Sequence, residues 1–489
     1  MSDGIQNDTI VPDKRIVSMD QNSASVRTDM YAALPRAMEL ATEYLAGLPH
    51  RPVDASTSYD EVVDALSRPL PDQGTNAVAV VEQLAATLGP ATIACAGPRY
   101  FGLVVGGTLP AALAADWLVS TWDQTAYSRM SSPAGAAIDA AAERWVLDAL
   151  GLPTDASVGF VTGATAGNVV GLLSARHVLL ARRGWDVEAD GLAQAPRVRV
   201  LVGDEVHPSV LQALQMIGLG ARRVERVAVD AQGAMRADAL ADALAADSDP
   251  AIVCAQVGNV NSGACDPMSE IVAATHEHGG WVHVDGAFGL WACASPRLSA
   301  LVQGVELADS WSTDAHKWLN VPYDCGLAIV ADPQAARSAL GANTSYLPTS
   351  SEREPGVLVP EMSRRARALP VYAALASLGR EGLRQLIERC CDHADRLAQM
   401  IQGTYGFVVC NDVVLNQVLI RADDSDERTW LVAELVRRSG EAWVAGTEWH
   451  GRAAIRVSFS NWTTAENDVD RLAEALRQSL AAARKAQQE

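Results

Sequence analysis

Short apolar segments alternate with amphipathic segments through the middle of the chain. Apolar residues recur at helical spacing over residues 169–182, 237–245 and 268–278. Between most of these helical segments lie short runs that are almost wholly apolar, as expected of strands buried on both faces of a sheet. These runs are residues 158–161, 198–202, 252–257, 281–284 and 327–330. The alternation predicts an α/β fold with a mainly parallel central sheet layered by helices.

The two ends of the chain differ from this middle region. Residues 27–48 have helical spacing and precede a loop rich in Pro, Ser and Asp, which predicts a helical arm without a core of its own. Beyond residue 364, long helices, two strands and a last amphipathic helix predict a small α+β domain. We therefore expect an N-terminal arm over residues 1–97, a large domain over 98–375 and a small C-terminal domain over 376–489.

Composition narrows the class of protein. The chain has 489 residues and a formal net charge of −20, with no basic stripe that could track phosphates, so we expect no nucleic-acid partner. Residues 1–20 are polar and no run of about 18 apolar residues occurs, so we predict no targeting peptide, no membrane span and a cytoplasmic location. The eight cysteines lack a Cys-x-x-Cys pair and are expected to be reduced.

Lys317 is the first candidate for chemistry. It lies in the stretch Asp-Ala-His-Lys-Trp-Leu-Asn, residues 314–320, among small and apolar neighbours. Desolvation disfavours an ammonium ion and a neutral amine forms a Schiff base, so a cofactor-bearing lysine is one interpretation. A surface lysine beside a turn is the other, and a single His-Lys pair does not decide between them.

A phosphate-binding turn is predicted at residues 162–168, Thr-Gly-Ala-Thr-Ala-Gly-Asn, where a strand turns into a helix. Small residues allow a close approach, free N–H groups at a helix start attract an anion, and Thr165 adds a hydroxyl donor. The segment has neither the P-loop nor the Rossmann spacing, and packing alone would also explain its small residues.

Asp285 and His207 each follow a predicted strand. The carboxylate of Asp285 would point to the usual ligand crevice of a parallel sheet, where it could keep a heteroaromatic nitrogen protonated; capping of the next turn is the alternative. His207 could stack on a planar cofactor or be a solvated loop residue. His276 and His278 do not share a helix face, so no metal site is predicted.

Taken in order, these segments resemble the group II pyridoxal-phosphate-dependent decarboxylases, the family of aromatic amino acid and glutamate decarboxylases. That family has a small-residue phosphate turn, a stacking histidine, an Asp-x-Ala pair and a His-Lys-Trp-Leu motif. The positions that match these features are residues 162–168, His207, Asp285 with Ala287, and residues 316–319. The resemblance extends over residues 98–463 and includes similar stretches at 258–267, 363–367 and 456–461.

The resemblance implies a type I PLP-dependent enzyme fold, similar to aspartate aminotransferase, with pyridoxal 5'-phosphate attached to Lys317 as an internal aldimine. It also implies that Asp285 pairs with the pyridine nitrogen, because a cationic ring is a better electron sink. Ala287 would be small enough to let the ring lie flat, and His207 would cover the opposite face.

The same resemblance implies contacts around the phosphate. Ala164 and Thr165 would hold the phosphate, His316 would lie beside it or beside the substrate carboxylate, and Asn259 would contact the cofactor. Two positions depart from the family pattern. Asn259 lies in a stretch where the animal aromatic decarboxylases are rich in Thr, and Asp314 stands where they often have Asn.

Tyr346 is the expected proton donor. It lies in Asn-Thr-Ser-Tyr-Leu-Pro, residues 343–348, where the resemblance implies a mobile loop whose tyrosine protonates the substrate carbon after decarboxylation. A tyrosine here favours decarboxylation over the aldehyde-forming variants that lack it. The segment that follows, up to residue 364, is shorter than in the animal enzymes, and a tyrosine that only anchors a surface loop is the alternative.

The resemblance therefore implies a PLP-dependent carboxy-lyase that converts an L-amino acid, with a preference for an aromatic one, to its amine and carbon dioxide. An aminotransferase, an aldolase-like lyase and an oxidative deaminase would use the same lysine and aspartate. A non-catalytic protein that binds a phosphate ligand is a third alternative. The family resemblance also implies a homodimer, with the N-terminal arm of each chain clasping its neighbour.

Overall fold

The computed structural model describes residues 21–341, 353–403 and 406–486, with side chains from residue 31 onward. The chain divides into two units. One comprises Met1–His50 and Ala55–Ile93, and the other comprises Arg51–Asp54 and Ala94–Glu489. The domain boundaries that we placed at residues 97 and 375 stay a prediction.

The first unit is helical. Its helices are α1 (Gln21–Gly47), α2 (Tyr59–Leu66) and α3 (Ala77–Leu88). The first of them confirms the helix predicted over residues 27–48. The loop predicted to follow this helix was wrong over residues 59–66, because α2 forms there and begins with a capping box: the Ser58 hydroxyl accepts the Glu61 N–H and the Glu61 carboxylate accepts the Ser58 N–H.

The second unit contains the remaining α-helices and all strands of the described residues. The helices are α4 (Pro110–Trp122), α5 (Pro133–Leu150), α6 (Ala164–Ala181), α7 (Val187–Asp190), α8 (Pro208–Met216), α9 (Ala237–Ala245), α10 (Met268–Glu277), α11 (Pro333–Leu340), α12 (Ala368–Ile401), α13 (Asp426–Arg438) and α14 (Glu466–Ala486). The strands are β1 (Ser157–Val161), β2 (Arg199–Gly203), β3 (Glu225–Val227), β4 (Ala251–Gln256), β5 (Trp281–Asp285), β6 (Ser310–Asp314), β7 (Gly326–Val330), β8 (Phe407–Val409), β9 (Gln417–Ala422), β10 (Ala445–Trp449) and β11 (Arg452–Ser458).

Seven strands form the main sheet, in the order β1-β7-β6-β5-β4-β2-β3. Five adjacent strands are parallel to their neighbours, in the order β6-β5-β4-β2-β3. Strand β7 is antiparallel to both β1 and β6. Helices separate most of these strands along the chain. The arrangement confirms the predicted α/β fold with a mainly parallel sheet, and its parallel strands bring their carboxyl ends to one edge, where ligands of such sheets bind.

Strand β6 was missed by the search for apolar runs. Its sequence is Ser-Trp-Ser-Thr-Asp, yet all five residues are buried because β5 and β7 pair with its two edges. The polar residues at its alternate positions share a face of the sheet, as the two-residue period of a strand requires. A buried strand with polar side chains on one face therefore leads up to Asp314 and the lysine turn.

The C-terminal part forms a second, antiparallel sheet in the order β10-β11-β9-β8, with α13 and α14 packed beside it. This confirms the predicted α+β character of the chain's end. Helix α12 leads into this region and is interrupted at Gly379, whose positive φ of 61° breaks the helical path. Across the stretches that the structure describes, no helix is both long and apolar enough to cross a membrane.

Two apolar cores cover the faces of the main sheet. One continuous cluster includes Trp291, Trp311 and Trp318 and extends into the C-terminal sheet through residues such as Ile455. The other cluster packs α6 and α8 against the opposite face. Because Trp318 is wholly buried in the first cluster, it anchors the turn that carries Lys317.

Candidate active site

Lys317 lies in a turn at the carboxyl end of β6. Its Nζ is 3.0 Å from Oδ2 of Asp314, the last residue of that strand, and its side chain is 20% exposed. The complete sequence has only three lysines, Lys14, Lys317 and Lys485. Lys317 is therefore the one lysine that the motif region offers, and its partly exposed side chain is held by a buried carboxylate.

Asn320 locks the lysine turn in place. It has a left-handed backbone with φ of 56°, which asparagine tolerates better than most residues. Its Oδ1 accepts the N–H groups of Gly107 and Trp462, and its Nδ2 donates to the carbonyls of Trp318 and Ser460. Chain segments before α4 and after β11 thereby fix the position of the turn.

Asp285 lies at the carboxyl end of β5, beside the lysine strand, where its register partner is Ser312 of β6. Its side chain is buried, with Oδ1 accepting the Ala287 N–H at 3.2 Å and Oδ2 lying 3.5 Å from the Ser209 Oγ. The Ala287 carbonyl accepts the Asp314 N–H at 2.8 Å. This backbone bond joins the turn after β5 to the end of the lysine strand.

His207 precedes α8 and caps that helix. Its Nδ1 accepts the Ser209 N–H at 3.3 Å and is 2.8 Å from the Ser209 Oγ, so the neutral ring carries its proton on Nε2. Burial lowers the pKa of His207; the Asp285 carboxylate opposes this effect, and the charges of Lys317 and Arg456 add to it. These electrostatic effects place His207 in one site with Asp285 and Lys317.

The predicted phosphate turn begins α6 at the same site. The Ala164 N–H donates to Asp314 Oδ1 at 2.6 Å, so the start of this helix already holds a negatively charged oxygen. A side chain at Gly163 would lie 3.4 Å from Asp314 Oδ1, and one at Gly326 would collide with the Gly163 backbone. The small residues therefore allow close backbone packing around the helix start, and Thr165 is the next residue of the helix.

His316 lies on the other side of Asp314. Its Nε2 is 3.6 Å from Asp314 Oδ1, its Nδ1 accepts the Cys325 N–H at 3.3 Å, and its ring stacks on Tyr323 with centroids 4.2 Å apart. Burial lowers the pKa of His316, which favours the neutral imidazole. His316 can therefore offer its Nε2 proton to an oxygen at this position.

Two predicted site residues need separate treatment. Asn259 is buried in the turn after β4, where its Oδ1 accepts the N–H groups of Asn261 and Ser262. Its side chain therefore caps its own turn, and a contact with the cofactor stays a prediction. Tyr346 lies outside the described residues, so its role also stays a prediction.

The structure adds residues that the sequence did not assign to the site. Asp314 contacts Lys317, His316 and the start of α6, although the sequence marked it only as a departure from the family pattern. Arg456 of β11 has a buried Nε without a hydrogen-bond partner in the part of the chain that the structure describes. The charge of Arg456 acts on His207, whereas the sequence marked residues 456–461 only as similar to the family and gave Arg456 no role.

These residues fit pyridoxal phosphate. An accessible lysine amine, a buried carboxylate at the next strand end and a neutral histidine lie together, and a helix start that already holds a carboxylate oxygen can hold a phosphate. The fit rests on the chemistry of Lys317, Asp285, His207 and Ala164, which the structure brings into one crevice at the carboxyl ends of the strands.

The family model described as "Pyridoxal-dependent decarboxylase conserved domain" matches residues 61–423. The chain therefore belongs to the pyridoxal-dependent decarboxylase family. Tryptophan decarboxylase 1 of Oryza sativa subsp. japonica is 26% identical over 474 residues, covering 90% of this chain and 91% of the relative. Aromatic-L-amino-acid decarboxylase of Bacillus atrophaeus is 25% identical over 453 residues, covering 88% and 91%.

A solved structure shows the same fold. The crystal structure of Oryza sativa TDC with PLP and tryptamine superimposes with a TM-score of 0.86 at 23% identity, covering 95% of this chain and 99% of that one. Together with the family match, this confirms the type I PLP-dependent enzyme fold that the sequence predicted. The chain is a pyridoxal-phosphate-dependent amino acid decarboxylase, that is, a carboxy-lyase.

Proposed function

We propose that Lys317 is the residue that carries pyridoxal phosphate and that the enzyme decarboxylates an aromatic L-amino acid to its amine. The observation that carries this proposal is the Lys317 Nζ, held 3.0 Å from a buried carboxylate oxygen of Asp314 at the end of β6. When bound, the cofactor supplies an electron sink for the electrons left behind as carbon dioxide departs.

The surrounding residues would each have a separate task. Asp285 would pair with the ring nitrogen and keep it protonated, because the carboxylate is buried and faces few other donors. Ala287 leaves room beside Asp285, and His207 would direct its Nε2 proton toward the cofactor or substrate. Ala164 and Thr165 would hold the phosphate at the start of α6.

Arg456 would hold the carboxylate of the amino acid substrate. Its guanidinium is half-buried, its Nε is buried without a partner among the described residues, and burial lowers its pKa. A buried cation that lacks a partner gains most from an anionic ligand, because the ligand replaces the lost solvation. Substitution by Gln is expected to raise KM more than it lowers kcat.

Two tyrosines support an aromatic substrate. Tyr100 is buried and stacks on Trp443 with centroids 4.8 Å apart, while Tyr323 stacks on His316 and remains 57% exposed. Burial is the main cause that raises the pKa of Tyr100, and Cys95 and then Tyr323 add to it. Aromatic faces near the lysine suit an aromatic side chain, and the relatives named above act on tryptophan or aromatic L-amino acids by their names.

The lysine assignment has a direct chemical test. Reduction of the holoenzyme with borohydride followed by peptide mapping should place the cofactor on Lys317 and leave Lys14 and Lys485 unlabelled. Lys317→Arg keeps the charge beside Asp314, so it should fold, yet lose the label and the visible absorbance of bound cofactor. Lys485→Arg is the matched control. A label on another residue, or one retained in Lys317→Arg, would refute the assignment.

The reaction itself is tested by product analysis. Incubation with L-tryptophan, L-tyrosine, L-phenylalanine and L-glutamate should give carbon dioxide and amine in equal amounts from an aromatic substrate. We further propose that Tyr346 donates the proton to the substrate carbon, so Tyr346→Phe should reduce amine formation and increase aldehyde. Aldehyde as the main product of the unaltered enzyme would overturn the amine assignment while the lysine assignment stands.

We also propose a homodimer in the cytoplasm. In the first unit, Tyr31, Leu34 and Met38 of α1 are more than half exposed, and in the second unit Trp117 and Trp122 of α4 are 41% and 54% exposed. Apolar side chains of this size on a surface support a protein interface. Light scattering should give twice the 51.8 kDa chain mass, and a monomer at working concentrations would contradict the proposal. The eight free thiols suit a reducing compartment.

A further inference from the structure

A buried polar stripe runs along the two central strands toward the site. On β5 it consists of Trp281, His283 and Asp285, and on β6 it includes Ser310 and Ser312. The register pairs His283 with Ser310 and Asp285 with Ser312. All five side chains are at most 4% exposed, and they share one face because strand residues two apart point the same way.

Asn168 of α6 connects this stripe to the site. Its Oδ1 accepts hydrogen bonds from the Ser312 hydroxyl and from His283 Nε2, which lies 2.9 Å away. Its Nδ2 donates to the Ser209 Oγ at 3.3 Å. Ser209 in turn lies 2.8 Å from His207 Nδ1. Asn168 is thus the hub between a buried histidine and the site histidine.

The hydrogen-bond directions in this chain follow from the donors available. Trp281 Nε1 can only donate, and its partner is the Ser310 Oγ at 2.9 Å. Asn168 Oδ1 can only accept, so His283 Nε2 carries the proton of the neutral ring and Nδ1 accepts from the Ser310 hydroxyl, also at 2.9 Å. That proton goes to Asn168 Oδ1, so the Asn168 amide must direct its NH₂ toward Ser209.

The direction of the Ser209 hydroxyl proton follows from these bonds. Because its oxygen already accepts from Asn168 Nδ2, its own proton is directed to the two remaining neighbours, His207 Nδ1 at 2.8 Å and Asp285 Oδ2 at 3.5 Å. The nearer one receives it. The Ser209 N–H also donates to Nδ1, at 3.3 Å, so both donors of Ser209 exclude a proton there and the neutral His207 ring carries its proton on Nε2.

Helix α6 leaves room for this relay, the chain of hydrogen bonds that runs from Trp281 through Ser310, His283, Asn168 and Ser209 to His207. A side chain at Gly171 would lie 2.5 Å from His283 Nδ1, and one at Gly167 would lie 2.9 Å from the Ser312 Cβ. These two glycines, four residues apart, face the stripe on both sides of Asn168. Burying several polar groups in a core costs free energy unless all are satisfied, and here each has a partner.

We propose that Asn168 and His283 are positioning residues, whose hydrogen-bond relay through the Ser209 hydroxyl acts together with the Ser209 N–H to favour the Nε2-protonated tautomer of His207 beside Asp285. The role of this tautomer at the cofactor rests on the proposed function, but the relay itself is a property of the apoenzyme. The charged groups that act on His207 are Asp285, Lys317, Arg456 and Asp314, and the relay variants below leave all four unchanged.

The test is nitrogen NMR of ¹⁵N-histidine-labelled apoenzyme at neutral pH, where the ring shifts identify the tautomer. The chain has nine histidines, and His207→Gln identifies the resonances of His207. In the unaltered protein we expect the population of the Nε2–H tautomer of His207 to exceed that of the Nδ1–H tautomer by at least about tenfold. In Asn168→Asp the carboxylate accepts the Ser209 proton, so the hydroxyl no longer donates to His207 Nδ1; with only the Ser209 N–H left as a donor there, the excess of Nε2–H over Nδ1–H should fall several-fold.

Two substitutions at His283 give a matched comparison. The amide of Gln reaches the position of Nε2 and can still donate to Asn168, whereas the amide of Asn reaches only the position of Nδ1. His283→Gln should therefore keep the tautomer and His283→Asn should shift it. Ser209→Ala removes only a half-buried hydroxyl, so it keeps the test available if the core variants fail to fold. It too should reduce the tautomer ratio several-fold.

Cofactor affinity is the second readout. Fluorescence titration of the apoenzyme with pyridoxal phosphate should give a dissociation constant about fivefold weaker in Asn168→Asp, the loss expected for one ordinary hydrogen bond. Ser174→Ala is the control, because Ser174 is a wholly buried residue of α6 whose hydroxyl bonds, among the residues that the structure describes, only to the Val170 carbonyl. An unchanged His207 tautomer in folded Asn168→Asp and Ser209→Ala would overturn the relay, whereas loss of the label at Lys317 would overturn the proposed function alone.

Discussion

The buried imidazole of His283 makes the stability of the enzyme depend on pH in a way that one substitution can isolate. The side chain is wholly buried, and burial lowers its pKa from the ordinary 6.5 to about 3. Acid therefore protonates the unfolded chain first. The stabilising contribution of neutral His283 is complete above pH 6.5 and is lost as the pH falls toward about 3.

The magnitude follows from these two values. Between about pH 8 and pH 5 the unfolded imidazole gains its proton and the folded one does not, so the free energy of unfolding falls by about 2 kcal/mol. Urea unfolding of the apoenzyme, followed by tryptophan fluorescence at fixed protein concentration, measures this loss without linkage to the cofactor. Other titrating groups also change the free energy of unfolding with pH, and they do so in every variant. The effect of His283 is therefore the difference between variants in this change.

The free energy of unfolding of His283→Gln should fall by about 2 kcal/mol less than that of the unaltered protein over the same pH interval. The Gln amide retains a donor for Asn168 but has no proton to gain. Ser174→Ala, a neutral change in the same core, should show the same acid loss as the unaltered protein. If the unfolding free energies of the unaltered enzyme and His283→Gln fall in parallel, His283 is not held as a neutral buried ring and the reasoning fails.

Two further predictions concern the lysine turn. Asp314→Asn removes a negative charge at the start of α6 but keeps an acceptor for the Ala164 N–H, so pyridoxal phosphate should bind the apoenzyme about tenfold more tightly by fluorescence titration. An equal or weaker affinity would contradict competition between this carboxylate and the phosphate. Asn320→Ala leaves buried partners such as the Gly107 N–H unpaired and should cost about 3 kcal/mol in urea unfolding. A loss below ~1 kcal/mol would show that the turn does not depend on Asn320.

The sequence predicted the elements of the main sheet wherever a strand is apolar on both faces. It failed at β6, because Ser310, Ser312 and Asp314 place polar side chains on one buried face and remove the apolar signal. The two-residue alternation was nevertheless present. Counting residues at every second position of β5 and β6 would have shown the polar stripe, since a strand can be buried and still carry hydrogen-bonded polar groups.

Candidate site residues were predicted where the sequence has short motifs, and their roles stay predictions. Lys317, Asp285, His207 and Ala164 were each found from a local pattern, and the structure brings them into one crevice. Arg456 was noted only as part of a stretch similar to the family, because its place near His207 depends on the packing of β11 against distant parts of the chain. Hydrogen-bond partners such as Asn168 were also missed, since a single asparagine in an alanine-rich helix has no signature of its own.

The charges of the described site explain why Asp314 matters. The carboxylates of Asp285 and Asp314 face two cationic side chains, Lys317 and Arg456, so the formal charges balance before any ligand binds. A phosphate bound at the start of α6, as we propose, would add negative charge where Ala164 already donates to Asp314. The conflict would be relieved if the carboxylate moved away and released that N–H, or became protonated. If the phosphate binds there, we therefore expect Asp314 to rearrange, whereas an amide at that position would avoid the conflict of charge.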